Sequence, residues 1–189
     1  VHVSAVGTDD VVGTGYGASK LATEALLKAS GLDWVILRPS LVLGRGVYGG
    51  SALLRGLAAF PLIIPVVGGA GSFRPVAMDD LCAIIVELTR AGRPARLAVD
   101  VAGPEAVSLV DLLVGLRGWL GLAPAPVVRL PLWLVSPVAR LGDLAGWLGW
   151  PSALRTTSLR QMAHDVAGHP ASADQLAGVT PRSFTRWLT

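Results

Sequence analysis

The first forty residues alternate between two hydrophobic rhythms. Val1-His2-Val3-Ser4-Ala5-Val6 is a short, nearly continuous apolar run, the pattern of a strand buried on both faces. A loop carrying Gly7, Gly13 and Gly15 follows. From Tyr16 to Ser30 the rhythm turns helical and predicts an apolar face of Leu21, Ala22, Ala25, Leu26 and Ala29. Gly31 stands where a left-handed residue would close that helix. Asp33-Trp34-Val35-Ile36-Leu37-Arg38 reads as the next strand and stops at Pro39. A strand, a helix and a strand at this spacing make one βαβ unit, so the sheet is expected to be parallel. Ligands of such sheets sit at the carboxyl ends of the strands. Ser4 and Pro39-Ser40-Leu41 would lie there, beside the start of the Tyr16 helix.

Beyond Leu41 the chain is rich in Gly and Pro to about Pro75, with a short helix expected over Ser51 to Ala59. Gly56 to Phe73 is uncharged and long enough to raise the question of a membrane span. Pro61, Pro65 and Gly68-Gly69-Ala70-Gly71 would break a helix, so a buried region of loops and turns is the expectation. Asp79 is expected to cap a helix from Asp80 to about Arg90. A strand over Leu97 to Ala102, a turn at Gly103-Pro104-Glu105 and a Ser108-capped helix from Leu109 to Leu120 follow. Two regions are expected, 1–105 as an α/β unit and 106–189 as a mostly helical, Trp-rich part. Four of the six tryptophans fall between Trp119 and Trp150. Core packing is the plain reading of these rings; a small-molecule pocket, a partner surface or a membrane-facing patch are the others. The tail from Thr156 reads as short helices separated by turns.

Composition narrows the classes. The 189 residues are 52% apolar and only 15% charged, which excludes a disordered chain. The net charge is +3, but no basic run reaches three and no aromatic-basic interleaving occurs, so nucleic acid is not an expected partner. No metal-ligand spacing is present. The single Cys82, in the apolar run Leu81-Cys82-Ala83-Ile84-Ile85, is expected to be a buried thiol in a reducing, cytoplasmic setting. The chain begins at Val1 in the middle of a strand pattern, without the charged segment of a signal peptide.

Tyr16-Gly17-Ala18-Ser19-Lys20 carries the candidate chemistry. The chain has two tyrosines and two lysines in all, Tyr16, Tyr48, Lys20 and Lys28. A Tyr and a Lys four apart share one helix face, and an ammonium near a phenol favours the phenolate, which suits the pair to proton transfer. A capped surface helix with a solvated lysine would show the same spacing; Ser4 upstream and the βαβ frame favour a site.

With these segments the chain resembles the carboxyl-terminal half of a short-chain dehydrogenase/reductase. The resemblance is to the extended and atypical NAD-dependent epimerase/dehydratase group, in the branch related to the nucleotide-binding accessory subunit of respiratory complex I. The matching stretches are His2-Val3-Ser4-Ala5, Tyr16 to Lys20 and Gly31 to Ser40. Phe73-Arg74-Pro75-Val76-Ala77-Met78-Asp79-Asp80-Leu81 and Gly103-Pro104-Glu105 complete the match. The resemblance implies a Rossmann-like doubly wound α/β fold with a small helical region on the substrate side. It implies NAD or NADP as cofactor and Tyr16 as general acid/base. Lys20 would support Tyr16 and bind the nicotinamide ribose, and Ser4 would orient the substrate oxygen. Pro39 and Ser40 would line the nicotinamide side, and Arg74 is a weaker candidate for a substrate phosphate or carboxylate.

The glycine fingerprint that cradles a dinucleotide pyrophosphate is not found: neither Gly44-Arg45-Gly46 nor Gly68 to Gly71 is expected to follow a strand and open a helix. The sequence is therefore expected to be part of a longer polypeptide or to pair with another chain supplying that half. A structural or assembly protein that keeps the fold without turnover is the rival reading. The Leu- and Trp-rich carboxyl region leans toward an apolar small-molecule substrate and gives weak support to membrane association.

Overall fold

The computed structural model describes residues 1–7, 15–46, 50–67, 71–90, 92–93, 95–147, 168–169, 176 and 178–187. In chain order these form β1 (His2–Val3), α1 (Gly15–Ala29), β2 (Val35–Pro39), β3 (Val42–Leu43), α2 (Gly50–Ala58), β4 (Ile64–Val67), β5 (Ser72–Phe73) and β6 (Val76–Ala77). Then come α3 (Met78–Leu88), β7 (Leu97–Val101), β8 (Val107–Ser108), α4 (Leu109–Trp119), β9 (Val127–Leu130), α5 (Leu132–Trp147) and α6 (Phe184–Trp187). Two compact units emerge, 1–44 with 74–106 and 166–187, and 45–73 with 107–165 and 188–189. One crossing between units falls after Ala106. The crossings near Gly44, Phe73 and Asp165 make the units interleaved rather than sequential.

The first unit is built on a parallel sheet of order β1-β2-β7, as the βαβ pattern requires. His2 faces Ile36 across the first pair, and Arg38 faces Asp100 across the second. Because side chains alternate along a strand, Val35, Leu37, Val99 and Val101 fall on one face. There they meet Val76, Leu81, Ile84, Leu88 and Leu176 in the core. α3 reaches that core through Leu81, Ile84 and Leu88, a helical stripe. Burying a side chain of this size is worth about 1.5–3 kcal/mol. Arg38 lies on the opposite pleat and receives α1.

α1 turns a different face inward from the one its apolar pattern predicts. Gly17 and Glu24 are its buried residues, while of the predicted face Leu21 is half-buried and Ala22, Ala25, Leu26 and Ala29 are exposed. An ion pair to the sheet, described below, outweighs the apolar stripe. The helix closes without a left-handed Gly31; instead the Ser30 hydroxyl donates to the Leu27 carbonyl at 2.7 Å. The left-handed glycine cap appears at the end of α4, where Gly121 has φ +70° and donates to Gly118 O at 2.9 Å.

Further local expectations are corrected. α3 begins at Met78, so Asp79 lies in its first turn, where it favours the helix dipole, and Ala77 occupies the cap position. Cys82 is exposed, because the inward stripe of α3 runs through Leu81 and Ile84 and leaves position 82 on the outer face. Gly44-Arg45-Gly46 does follow a strand, β3, which the sequence reading did not expect; α2 begins at Gly50, beyond residues 47–49, which lie outside the described residues. That strand is two residues long and pairs with β6 alone. Gly44 has a packing reason to be glycine: a Cβ there would sit 2.7 Å from Met78 Cβ.

The second unit packs α2 on α4; α2 buries Leu53, Leu54 and Ala58, and the buried leucines of α4 are Leu109, Leu112, Leu113 and Leu116. β4 pairs with β9 in parallel and β5 with β8 antiparallel. Ser108 caps α4 as its sequence suggests, accepting from Asp111 N at 3.1 Å. Arg117 is buried and donates to the carbonyls of Ala123, Ala58 and Phe60 at 2.6, 2.8 and 2.9 Å. Core packing does not account for two of the tryptophans, since Trp133 is 74% and Trp147 82% exposed. Among the described residues no helix is long and apolar enough to cross a membrane. Tyr48, residues 68–70, Trp150 and nearly all of the tail over 156–175 lie outside the described residues.

Candidate active site

Residues spaced by four on α1 form a single ladder, Tyr16, Lys20, Glu24 and Lys28, running down the side of the helix that meets the sheet. Tyr16 stands at the amino end and is 53% exposed, so its phenol is open to a ligand. One turn on, the Lys20 ammonium lies 5.7 Å from the centre of the Tyr16 ring, within cation–π range. The same ammonium donates to Val3 O at 2.8 Å. That bond ties the helix to the end of β1, one residue before Ser4. An ammonium carries three donors, so this tether leaves Lys20 capacity for a further acceptor.

Glu24, one more turn along, is 1% exposed. Arg38 grips it from β2, with Nε 3.0 Å from Oε1 and Nη2 2.5 Å from Oε2. Lys28 approaches Oε2 at 3.4 Å from the same helix. Hydrogen bonding to Arg38 is the main reason the Glu24 carboxyl is held down to about 2. Burial pushes the other way, and Ser4 and Lys28 add to the lowering.

Ser4 is 3% exposed. Its hydroxyl is enclosed beside the Glu24 carboxylate, outside strict hydrogen-bond geometry with any described group. The structure thus brings Tyr16 and Lys20 together, and ties Lys20 to the backbone just before Ser4. The Ser4 hydroxyl itself turns toward Glu24 and is closed off from the surface.

The strand ends converge as the parallel topology demands. Ser4 N donates to Leu37 O at 2.7 Å and Val6 N to Pro39 O at 3.1 Å. Ser40 N donates to Val101 O at 2.9 Å, and Ser40 is itself buried. Pro39 and Ser40 therefore hold the carboxyl end of β2 in register with its neighbours. Arg74 donates through Nη1 to Gly103 O at 3.3 Å and Pro104 O at 2.7 Å, which gives it a loop-fastening role. Asp80 is engaged too, accepting from Arg182 N and Nε at 2.8 Å each.

Glu24 and Arg38 are the residues the motif reading passed over. The signal was present: Glu24 continues the four-residue ladder of Tyr16 and Lys20, and Arg38 is the one cation in an otherwise apolar strand. Among the described residues no group of His, Cys, Asp and Glu could hold a metal ion.

No protein-family model matches the chain. It is 30% identical over 173 residues to the protein-glutamate methylesterase/protein-glutamine glutaminase 2 of Cupriavidus metallidurans, covering 88% of this chain and 50% of that protein. Among solved structures it is similar to DesIV of Streptomyces venezuelae, a dTDP-glucose 4,6-dehydratase with NAD and TYD bound. The TM-score is 0.63 at 18% identity, over 99% of this chain and 57% of that one. It is also similar to RMD of Pseudomonas aeruginosa complexed with NADPH, with a TM-score of 0.62 at 16% identity, over 98% and 62%. The chain spans between half and two thirds of the length of these proteins. The likeness establishes the fold, a Rossmann-like α/β architecture of the kind seen in NAD(P)-dependent epimerases, dehydratases and reductases.

Proposed function

We propose that this chain contributes the proton-transfer side of an NAD(P)-dependent oxidoreductase or epimerase/dehydratase site. The observation that carries the reading is the Lys20 ammonium, tethered to Val3 O at 2.8 Å and 5.7 Å from the half-exposed Tyr16 ring, at the carboxyl end of a parallel sheet. In this reading Tyr16 passes a proton to or from a substrate oxygen. Lys20 stabilises the charge that develops on the phenol oxygen and offers its remaining donors to a ribose hydroxyl. Pro39 and Ser40 fix the strand end on the nicotinamide side. Ser4 takes the substrate-orienting role only if its enclosed hydroxyl is uncovered on ligand binding; as it stands it serves Glu24. A bound NAD or NADP would supply hydride transfer at the nicotinamide. Dinucleotide-bearing neighbours of the same fold support that assignment. The substrate is a small molecule with a carbonyl or alcohol carbon. The surface that docks the remainder of such an enzyme, in this polypeptide or a partner, belongs to the same proposal.

The methylesterase/glutaminase likeness favours a second reading, hydrolysis of a glutamyl ester or amide. A serine nucleophile for that chemistry needs a base beside its hydroxyl. Ser4 is enclosed without a histidine partner among the described residues, which places the hydrolase second.

The test is a tryptophan-fluorescence titration of the intact protein with NADH and NADPH, then a carbonyl and alcohol panel with wild type and Tyr16→Phe. Dinucleotide binding preserved in the variant, with turnover reduced by about 10²-fold or more, is the expected result. Undiminished turnover in Tyr16→Phe refutes it. Release of methanol from a glutamyl methyl ester would instead select the hydrolase.

A further inference from the structure

The Tyr16–Lys20 pair is held in part by residues outside it. α1 exposes Ala22, Ala25, Leu26 and Ala29 and only half-buries Leu21 and Leu27, so hydrophobic packing alone gives the rotation of the helix little hold. Two polar links on consecutive turns hold it instead. Lys20 bonds Val3 O on β1, and Glu24 is gripped by Nε and Nη2 of Arg38 on β2. The second link is the stiffer one. A planar guanidinium fork on a carboxylate constrains direction as well as distance, whereas a lysine ammonium is a point charge on a flexible stem. Glu24 and Tyr16 share one ladder two turns apart, so turning Glu24 carries Tyr16 and Lys20 with it. Ser4 closes off the carboxylate at the end of β1.

We propose that the buried Glu24–Arg38 pair is a positioning device for the proton-transfer pair, setting the rotation of α1 and thereby holding the Lys20 ammonium on Val3 O, where it stands beside the Tyr16 ring. The inference rests on the functional reading above for its catalytic meaning, while its geometric content stands apart from it. Arg38, reaching from β2, locks the helix phase; Lys28 contributes charge at 3.4 Å without the directional fork.

Two tyrosines in the chain permit a test that needs no substrate. In a Tyr48→Phe background the intact protein has Tyr16 as its tyrosine in this sequence. Its nitration by tetranitromethane, which attacks the phenolate, reports how well Lys20 is placed. Lys20→Met sets the floor of the assay. Glu24→Gln and Arg38→Met, which remove the charged fork, are expected to slow Tyr16 nitration by about threefold or more toward that floor. Glu24→Asp keeps the charge while drawing the helix in by one methylene, and is expected to fold and to slow nitration as well. Lys28→Met is expected to nitrate like the background protein. Nitration at background rate in the Gln and Asp variants, with native circular dichroism, overturns the proposal. If Glu24→Gln and Arg38→Met do not fold, the Asp variant alone decides in the same way. NADH titration of the same proteins separates the two claims: Tyr16 nitration that tracks Glu24 in a protein binding no dinucleotide upholds the positioning role and refutes the functional reading.

Discussion

Replacing Glu24 with glutamine keeps the shape of the side chain and removes its charge. The native carboxyl is held at about 2 against an ordinary value of 4.5, chiefly by its hydrogen bonds to Arg38. At about 1.4 kcal/mol per pH unit, that difference is worth roughly 3 kcal/mol at neutral pH. The direction follows from proton binding. As pH falls below 4.5 the unfolded carboxyl takes up a proton while the folded one does not, so acid draws the equilibrium toward the unfolded chain. The stabilisation is complete above about pH 5, falls by about half near pH 3 and is nearly gone at about pH 2. Glutamine has no such titration. Urea unfolding of wild type and Glu24→Gln at about pH 7, 4 and 3 should therefore show a gap that shrinks with pH. At neutral pH the gap should reach about 3 kcal/mol, or roughly 6–12 °C in midpoint for a chain of this size. The quarter-exposed Arg38 side chain lets water take over part of the lost contact, so a somewhat smaller gap is consistent. A gap that is the same at every pH refutes the assignment of Glu24 as a buried, ionised partner of Arg38.

Other perturbations test the fold around the site. Gly103→Ala places a Cβ against the carbonyl oxygen of Pro75 and should lower the thermal midpoint by the equivalent of about 1–3 kcal/mol; an unchanged midpoint would mean the loop moves freely. Leu62 holds a left-handed φ of +67° while fully on the surface, so Leu62→Gly should raise stability by about 1 kcal/mol, and a lowered midpoint would contradict the backbone conformation. Arg117→Met strips three carbonyls of their donor and should cost about 2–4 kcal/mol in urea unfolding, whereas a neutral result would show that water reaches them. The exposed Cys82 should react with a thiol reagent in the folded protein at a rate close to that of free thiol; protection would place it inside.

The chain order alone determined the βαβ unit, the parallel sheet and the Ser108 cap, because each rests on local periodicity or on a neighbour within a turn. That Tyr16 and Lys20 share a helix face was equally local, since a spacing of four gives it on any helix, while the seat of the Lys20 ammonium is set by Val3 O on β1. What lay outside local reach was decided by contacts distant in sequence. The apolar stripe of α1 pointed Leu21, Ala22, Ala25, Leu26 and Ala29 inward, yet only Leu21 is even half-buried and the helix buries Glu24, because Arg38 lies fourteen residues further along on a neighbouring strand. Gly31 and Gly121 look alike in sequence as helix-ending glycines; only the second adopts the left-handed turn, since Ser30 already satisfies the carbonyl at the end of α1. Cys82 and Leu81 share one apolar run, and the phase of α3 on the sheet put one outside and the other in the core. Tertiary structure also enclosed Ser4 beside Glu24, because a hydroxyl at a strand end takes the partner that the neighbouring helix presents. Local spacing named the residues that could act, and long-range charge pairing decided which way they face.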